Sequence, residues 1–163
     1  MLTSATHKAK LDRLLAQDAA CFNPYLEPGE RLRYVAYGVK QPNVLLMLLL
    51  LVLFILPGLI GIPLLTKHYL VGLTDRRFIV LPFWGSGEVN SKAIFDYRLS
   101  SLPKVVASTG PIFTHIRILD PKKPFVAKFH RHPFGGKNRG NAMAIEALLT
   151  GKPMHTVPPE HDW

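Results

Sequence analysis

One stretch dominates the pattern of apolar and polar positions. Residues 44–65, VLLMLLLLVLFILPGLIGIPLL, run for 22 positions without a charge, and 18 of them are apolar. As a helix rising about 1.5 Å per residue the run would reach roughly 33 Å, enough for a hydrocarbon core of about 30 Å. It therefore predicts a membrane segment rather than a buried core helix. It does not read as a signal peptide, because it lies well inside the chain and is followed by Thr66-Lys67-His68-Tyr69 rather than by a small-residue cleavage site. Pro57-Gly58 splits the run, and a proline at that depth removes an intrahelical hydrogen bond. Two arrangements follow: a single kinked span, or a re-entrant hairpin turning at Pro57-Gly58. Flanking charge does not choose between them, since Arg31, Arg33 and Lys40 on one side balance Lys67, Arg76 and Arg77 on the other. Lys40, Lys67, His68 and Tyr69 are the expected membrane-interface anchors.

The rest of the chain carries shorter periods. Residues 4–22 place Leu11, Leu14, Leu15 and Ala19 on one stripe, which predicts an amphipathic helix able to lie on a membrane interface or to pack on the body of the protein. Asn23-Pro24 and Pro28-Gly29 end it and begin a linker. Residues 31–37 alternate as a strand, and residues 69–73 and 78–81 flank the polar turn Thr74-Asp75-Arg76-Arg77 as a hairpin. Further strands are predicted around 93–99, 105–107, 112–118 and 125–129. Ala142, Ile145, Leu148 and Leu149 form a helical stripe over 138–149 that stops at Gly151. Residues 151–163, with Pro153, Pro158, Pro159 and a final Trp163, read as an extended tail.

The expected class is α+β with a membrane segment: an antiparallel barrel or curved sheet of about seven short strands, capped by a C-terminal helix, with the hydrophobic insertion after the first strand. The corresponding division is an amphipathic helix at 1–22, linker and first strand at 23–43, membrane segment at 44–65, strand-rich domain at 66–150 and tail at 151–163.

Composition sharpens this picture. The chain has 163 residues, 48% hydrophobic, with 20 Lys+Arg against 11 Asp+Glu and a net charge of +9. That is one domain's length, too apolar for a disordered chain, and the lone Cys21 excludes an internal disulfide framework. The charge lies mainly after the apolar run. Residues beyond 65 hold 14 basic and 7 acidic groups, against 6 and 4 before residue 44. A membrane surface or another anionic partner is the expected counterpart.

The order of parts resembles the bacterial pleckstrin-homology-like (PH-like) domain proteins with embedded membrane helices. The likeness rests on Pro28-Gly29-Glu30 opening the first strand, on Tyr69-Leu70-Val71-Gly72-Leu73-Thr74-Asp75-Arg76-Arg77 as the family's Y-x-x-x-L-T-D-R-R hairpin, and on the closing helix at 138–149. It spans residues 27–150. Relatives often carry two full-length membrane helices, whereas this chain has one run. The hairpin motif has a structural role: Thr74 and Asp75 bond turn amides, and Arg76 and Arg77 keep the turn solvated.

Catalytic patterns are absent: no G-x-S-x-G, H-E-x-x-H, Walker A loop or G-x-G-x-x-G occurs. His130-Arg131-His132 places two imidazoles on one strand face, too few for a metal unless His115 or His68 converges on them, so neither a metal nor a cofactor is expected. Lys122, Lys123, Lys128, Arg131, Lys137 and Arg139 form a basic stretch with no acid among residues 122–139. Gly135-Gly136-Lys137-Asn138-Arg139-Gly140 leads into the last helix and is a candidate phosphate-binding loop. The sequence thus points to a non-enzymatic, membrane-anchored PH-like binding module, an accessory subunit or assembly factor of a membrane complex. The alternative is an anionic phospholipid or phosphate-ligand binding protein using the loop at 135–140. The expected partners are membrane lipids and other subunits; nucleic acid is disfavoured, because the scattered aromatics do not build a base-stacking platform. The expected location is the inner (cytoplasmic) membrane, with the strand-rich domain on the cytoplasmic side.

Overall fold

Alternating and doubly apolar strands need two covers, and the chain supplies both. The computed structural model describes residues 18–41, 44–53, 65–83, 89–130 and 135–153. Seven strands form one antiparallel sheet: β1 (Leu32–Lys40), β2 (Lys67–Thr74), β3 (Arg77–Phe83), β4 (Phe95–Arg98), β5 (Val105–Thr109), β6 (Phe113–Ile118) and β7 (Phe125–His130), in the order β4-β3-β2-β1-β7-β6-β5. Two helices are described, α1 (Val44–Leu53) between β1 and β2, and α2 (Gly135–Thr150) after β7.

On one face, Tyr34, Val71, Phe78, Ile116, Phe125 and Phe129 pack beneath Ala142, Ile145 and Leu149 of α2. On the other, Val35, Leu70, Ile79 and Leu81 are covered by Ala19 and Phe22 from the segment before β1. This second cover explains why YLVGL and FIVL lack a polar face: successive side chains point to opposite sides of a strand, and both sides here are buried. Of the expected N-terminal helix, residues 18–20 are helical and the stripe residues Leu11, Leu14 and Leu15 lie outside the described residues. Phe22 sits over Gly72, where a Cβ would come within 2.7 Å of its ring.

The sheet curls without closing. Four strand spacings of about 4.8 Å separate β4 from β7 in a flat sheet, yet the Phe95 and Phe125 ring centroids lie 6.3 Å apart. The Tyr97 hydroxyl likewise donates to the Lys123 carbonyl. The strand order nevertheless ends at β4 and β5, which do not pair with each other among the described residues. Of the two forms expected, barrel or curved sheet, the described residues form an open, strongly curled sheet.

A second irregularity lies at its centre. β1 and β7 share one register pair, Val39↔Lys128, and α2 fills the gap. Asn138 accepts from the Tyr37 amide (2.7 Å) and donates to the carbonyls of Tyr37 (3.0 Å) and His130 (2.8 Å). Asn141 donates to the Val35 carbonyl at 2.8 Å. The two asparagine amides stand in for missing strand bonds. Residues 135–140, expected as a loop, are instead the opening turns of α2.

The apolar run begins as helix α1, immediately after β1, but no helix among the described residues is long and apolar enough to cross a membrane. Pro57-Gly58 and the tail beyond residue 153 lie outside the described residues.

Candidate functional site

Every hydrogen-bonded neighbour in this sheet is antiparallel, so the connections sort to two ends. The β1–β2 insert, the β3–β4 connection, the start of β5 and the β6–β7 turn share one end. The β2–β3 and β5–β6 turns share the other. This sorting brings together residues that are far apart in sequence.

The insert end is lysine-rich. Lys40 and Lys67 pair in register at the root of the insert. Lys92 lies in the 3-10 helix Ser91–Ala93, where Asn90 donates to the Pro82 carbonyl, and Lys104 directly precedes β5. Lys122 and Lys123 occupy the β6–β7 turn. All six are exposed, and none of their ammonium groups forms an ion pair among the described residues. The described acid at this end, Asp120, accepts from the amides of Lys122 (2.7 Å) and Lys123 (2.9 Å), and these bonds hold its carboxyl below the usual range. Beside the lysines, α1 exposes Leu45 (73%), Leu48, Leu49 and Val52 (71%), and Leu65 is exposed at the return to β2.

The opposite end is arginine-rich and charge-balanced. Glu30, its side chain fully buried, takes Arg77 Nη2 at 2.5 Å and Nε at 3.0 Å, the Thr74 hydroxyl at 2.7 Å and the Glu27 amide at 2.8 Å. The Arg77 bond holds the Glu30 carboxyl down at about 2 against its desolvation, and Glu30 in turn raises the Arg77 guanidinium. Arg77 also meets Asp96 at 3.2 Å and Glu27 at 3.6 Å. Thr74 Oγ1 accepts from the amides of Arg76 and Arg77, as turn chemistry requires, whereas Asp75 accepts from the amide of Arg31, just before β1, rather than from a turn amide. The expectation that Arg77 stays solvated is corrected: it turns inward, because the buried Glu30 demands a partner.

The residues singled out in the sequence divide accordingly. Lys122, Lys123, Lys40 and Lys67 meet at the insert end. His68 lies beside them, its Nδ1 2.5 Å from the Tyr37 hydroxyl. Tyr69 is not an interface anchor but a core residue, packed edge-on against Phe125 at 5.5 Å. Lys128 lies 5.2 Å from the Phe113 ring centroid. Arg139 donates to the Gly110 carbonyl at 2.7 Å, while its buried Nε has no partner among the described residues. Lys137 is in the first turn of α2, and Arg131 lies outside the described residues. The basic stretch is thus distributed over several parts of the surface rather than gathered at one loop. His68, His115 and His130 lie on three different strands, and no metal-ligand group of three forms among the described residues. Burial, Lys128 and Arg117 lower the His115 pKa.

Sequence reasoning missed Lys92, Lys104, Glu30, Asn138 and Asn141 as functional or organising residues. The signal for the lysines was their position beside strand ends, which becomes informative only once the strand order is known.

No protein-family model matches the chain, and no curated protein matches it. Among solved structures it is similar to "The hSac2 domain from human phosphoinositide phosphatase Sac2", at 13% identity and a TM-score of 0.46, covering 98% of this chain and 89% of that one.

Proposed function

We propose that this chain is a non-enzymatic, PH-like binding module attached to a membrane, an accessory subunit or assembly factor of a membrane protein complex. Its partners are anionic lipids and other subunits, and its strand-rich domain faces the cytoplasmic side. One observation carries the reading: a helix exposing Leu45, Leu48, Leu49 and Val52 follows β1 at the same end of the sheet as six exposed lysines that form no ion pair among the described residues. Apolar side chains and positive charge at one end of the sheet suit a bilayer whose headgroups are anionic and whose interior is hydrocarbon. The remainder of the molecule is a packed sheet whose polar side chains serve its architecture, with Glu30, Thr74, Asn138 and Asn141 all committed to internal bonds. Purification from native membranes in mild detergent tests the subunit role. A larger assembly of constant stoichiometry is expected, and monomer alone from several gentle detergents overturns it.

A further inference from the structure

We infer that the chain between β1 and β2 enters and leaves a bilayer through the same face, seating α1 in one leaflet of anionic lipid. This rests on the membrane reading above and deepens it. β1 and β2 pair from Leu32↔Thr74 to Lys40↔Lys67, so the points where the chain leaves and rejoins the sheet are neighbours, about 5 Å apart. A single crossing would place those points on opposite sides of a core about 30 Å thick and tear the pairing open. Two crossings need about 20 residues each, whereas 26 residues separate Lys40 from Lys67. An excursion into one leaflet meets both limits.

The dimensions and chemistry of α1 agree. Its ten residues span about 15 Å, half the hydrocarbon core. Its sequence, VLLMLLLLVL, is apolar on every side, and such a helix needs an apolar environment all around rather than a groove that covers one stripe. Leu45, Leu48, Leu49 and Val52 are exposed, so apolar side chains are presented from near one end of the helix to near the other. Lys40 and Lys67 stand together at the mouth of the excursion, where ammonium groups meet anionic headgroups.

The test uses the full chain with Cys21→Ala, added from detergent to preformed vesicles of phosphatidylcholine and phosphatidylglycerol. Single cysteines at Gln41→Cys and Thr66→Cys are expected to react equally with a membrane-impermeant maleimide supplied outside. A fluorophore on Val52→Cys is expected to be quenched by nitroxide-labelled lipid and left untouched by iodide trapped inside. Labelling of one flank only after permeabilisation, or quenching by trapped iodide, overturns the one-leaflet topology while leaving membrane attachment intact. Failure of the parent chain to associate with these vesicles overturns the topology and the membrane reading together.

Discussion

Glu30 shows how one buried carboxylate organises the end of the sheet away from the insert. It draws Arg77 inward, and Thr74 links that pair to the turn amides. Removing one partner of a buried pair leaves an uncompensated charge, so Arg77→Ala should cost about 3–5 kcal/mol, read from the urea midpoint. The pH dependence has a definite sign. The Glu30 pKa is lowered from 4.5 to about 2, so its contribution is complete above 4.5 and is lost as pH falls through 2. Thermal unfolding of the parent should weaken across that window, and Glu30→Gln should be less stable at neutral pH but flatter below 4.5. Asp18 acts oppositely, since burial raises its pKa from 3.8 to about 6. Asp18→Asn should therefore stabilise the protein above pH 6, with the gain vanishing below 3.8. Gly72 is a third sensitive position: an added Cβ meets Phe22 at 2.7 Å and Leu32 at 2.9 Å. Gly72→Ala should cost about 1–3 kcal/mol through overpacking, and Phe22→Ala in the same chain should recover part of that cost, measured as a double-mutant cycle.

At the scale of elements, the weak joint between β1 and β7 defines what α2 does. With one register pair between the strands, Asn138 supplies three hydrogen bonds across the gap. Asn138→Ala strands buried polar groups at about 1–3 kcal/mol each and should destabilise the protein by about 2–4 kcal/mol. Hydrogen exchange at the Tyr37 amide should accelerate before exchange in β2 and β3, because its acceptor is the Asn138 side chain. The strands and the C-terminal helix were legible from alternation and from the Ala142, Ile145, Leu148, Leu149 stripe. The first turns of α2 were not. Two glycines at its start have poor helix propensity, and only the docking of Asn138 and Asn141 into the sheet favours helix there.

At the scale of the whole molecule, the register at Lys40↔Lys67 makes the insert separable from the sheet. Replacing residues 41–66 by Asn-Gly, a pair suited to a two-residue hairpin, should preserve the circular dichroism of the sheet and its cooperative unfolding while abolishing vesicle association. Neutralising Lys40, Lys67, Lys122 and Lys123 to Gln should weaken association with anionic vesicles by up to about a thousand-fold, at roughly 1 kcal/mol per lysine, and reduce its salt dependence. Neutral vesicles should show little of this difference.

The sequence by itself determined the location and length of the apolar run, the number and approximate places of the strands, and the excess of positive charge after residue 65. These follow from local period and composition, which a linear reading captures. Tertiary structure decided which charges are neighbours. Antiparallel pairing sorted six lysines to the insert end and the paired arginines to the other, and it set the two roots of the insert side by side. It also separated Tyr69 from its neighbour His68, because adjacent strand residues face opposite sides, and the side of Tyr69 is the core beneath α2.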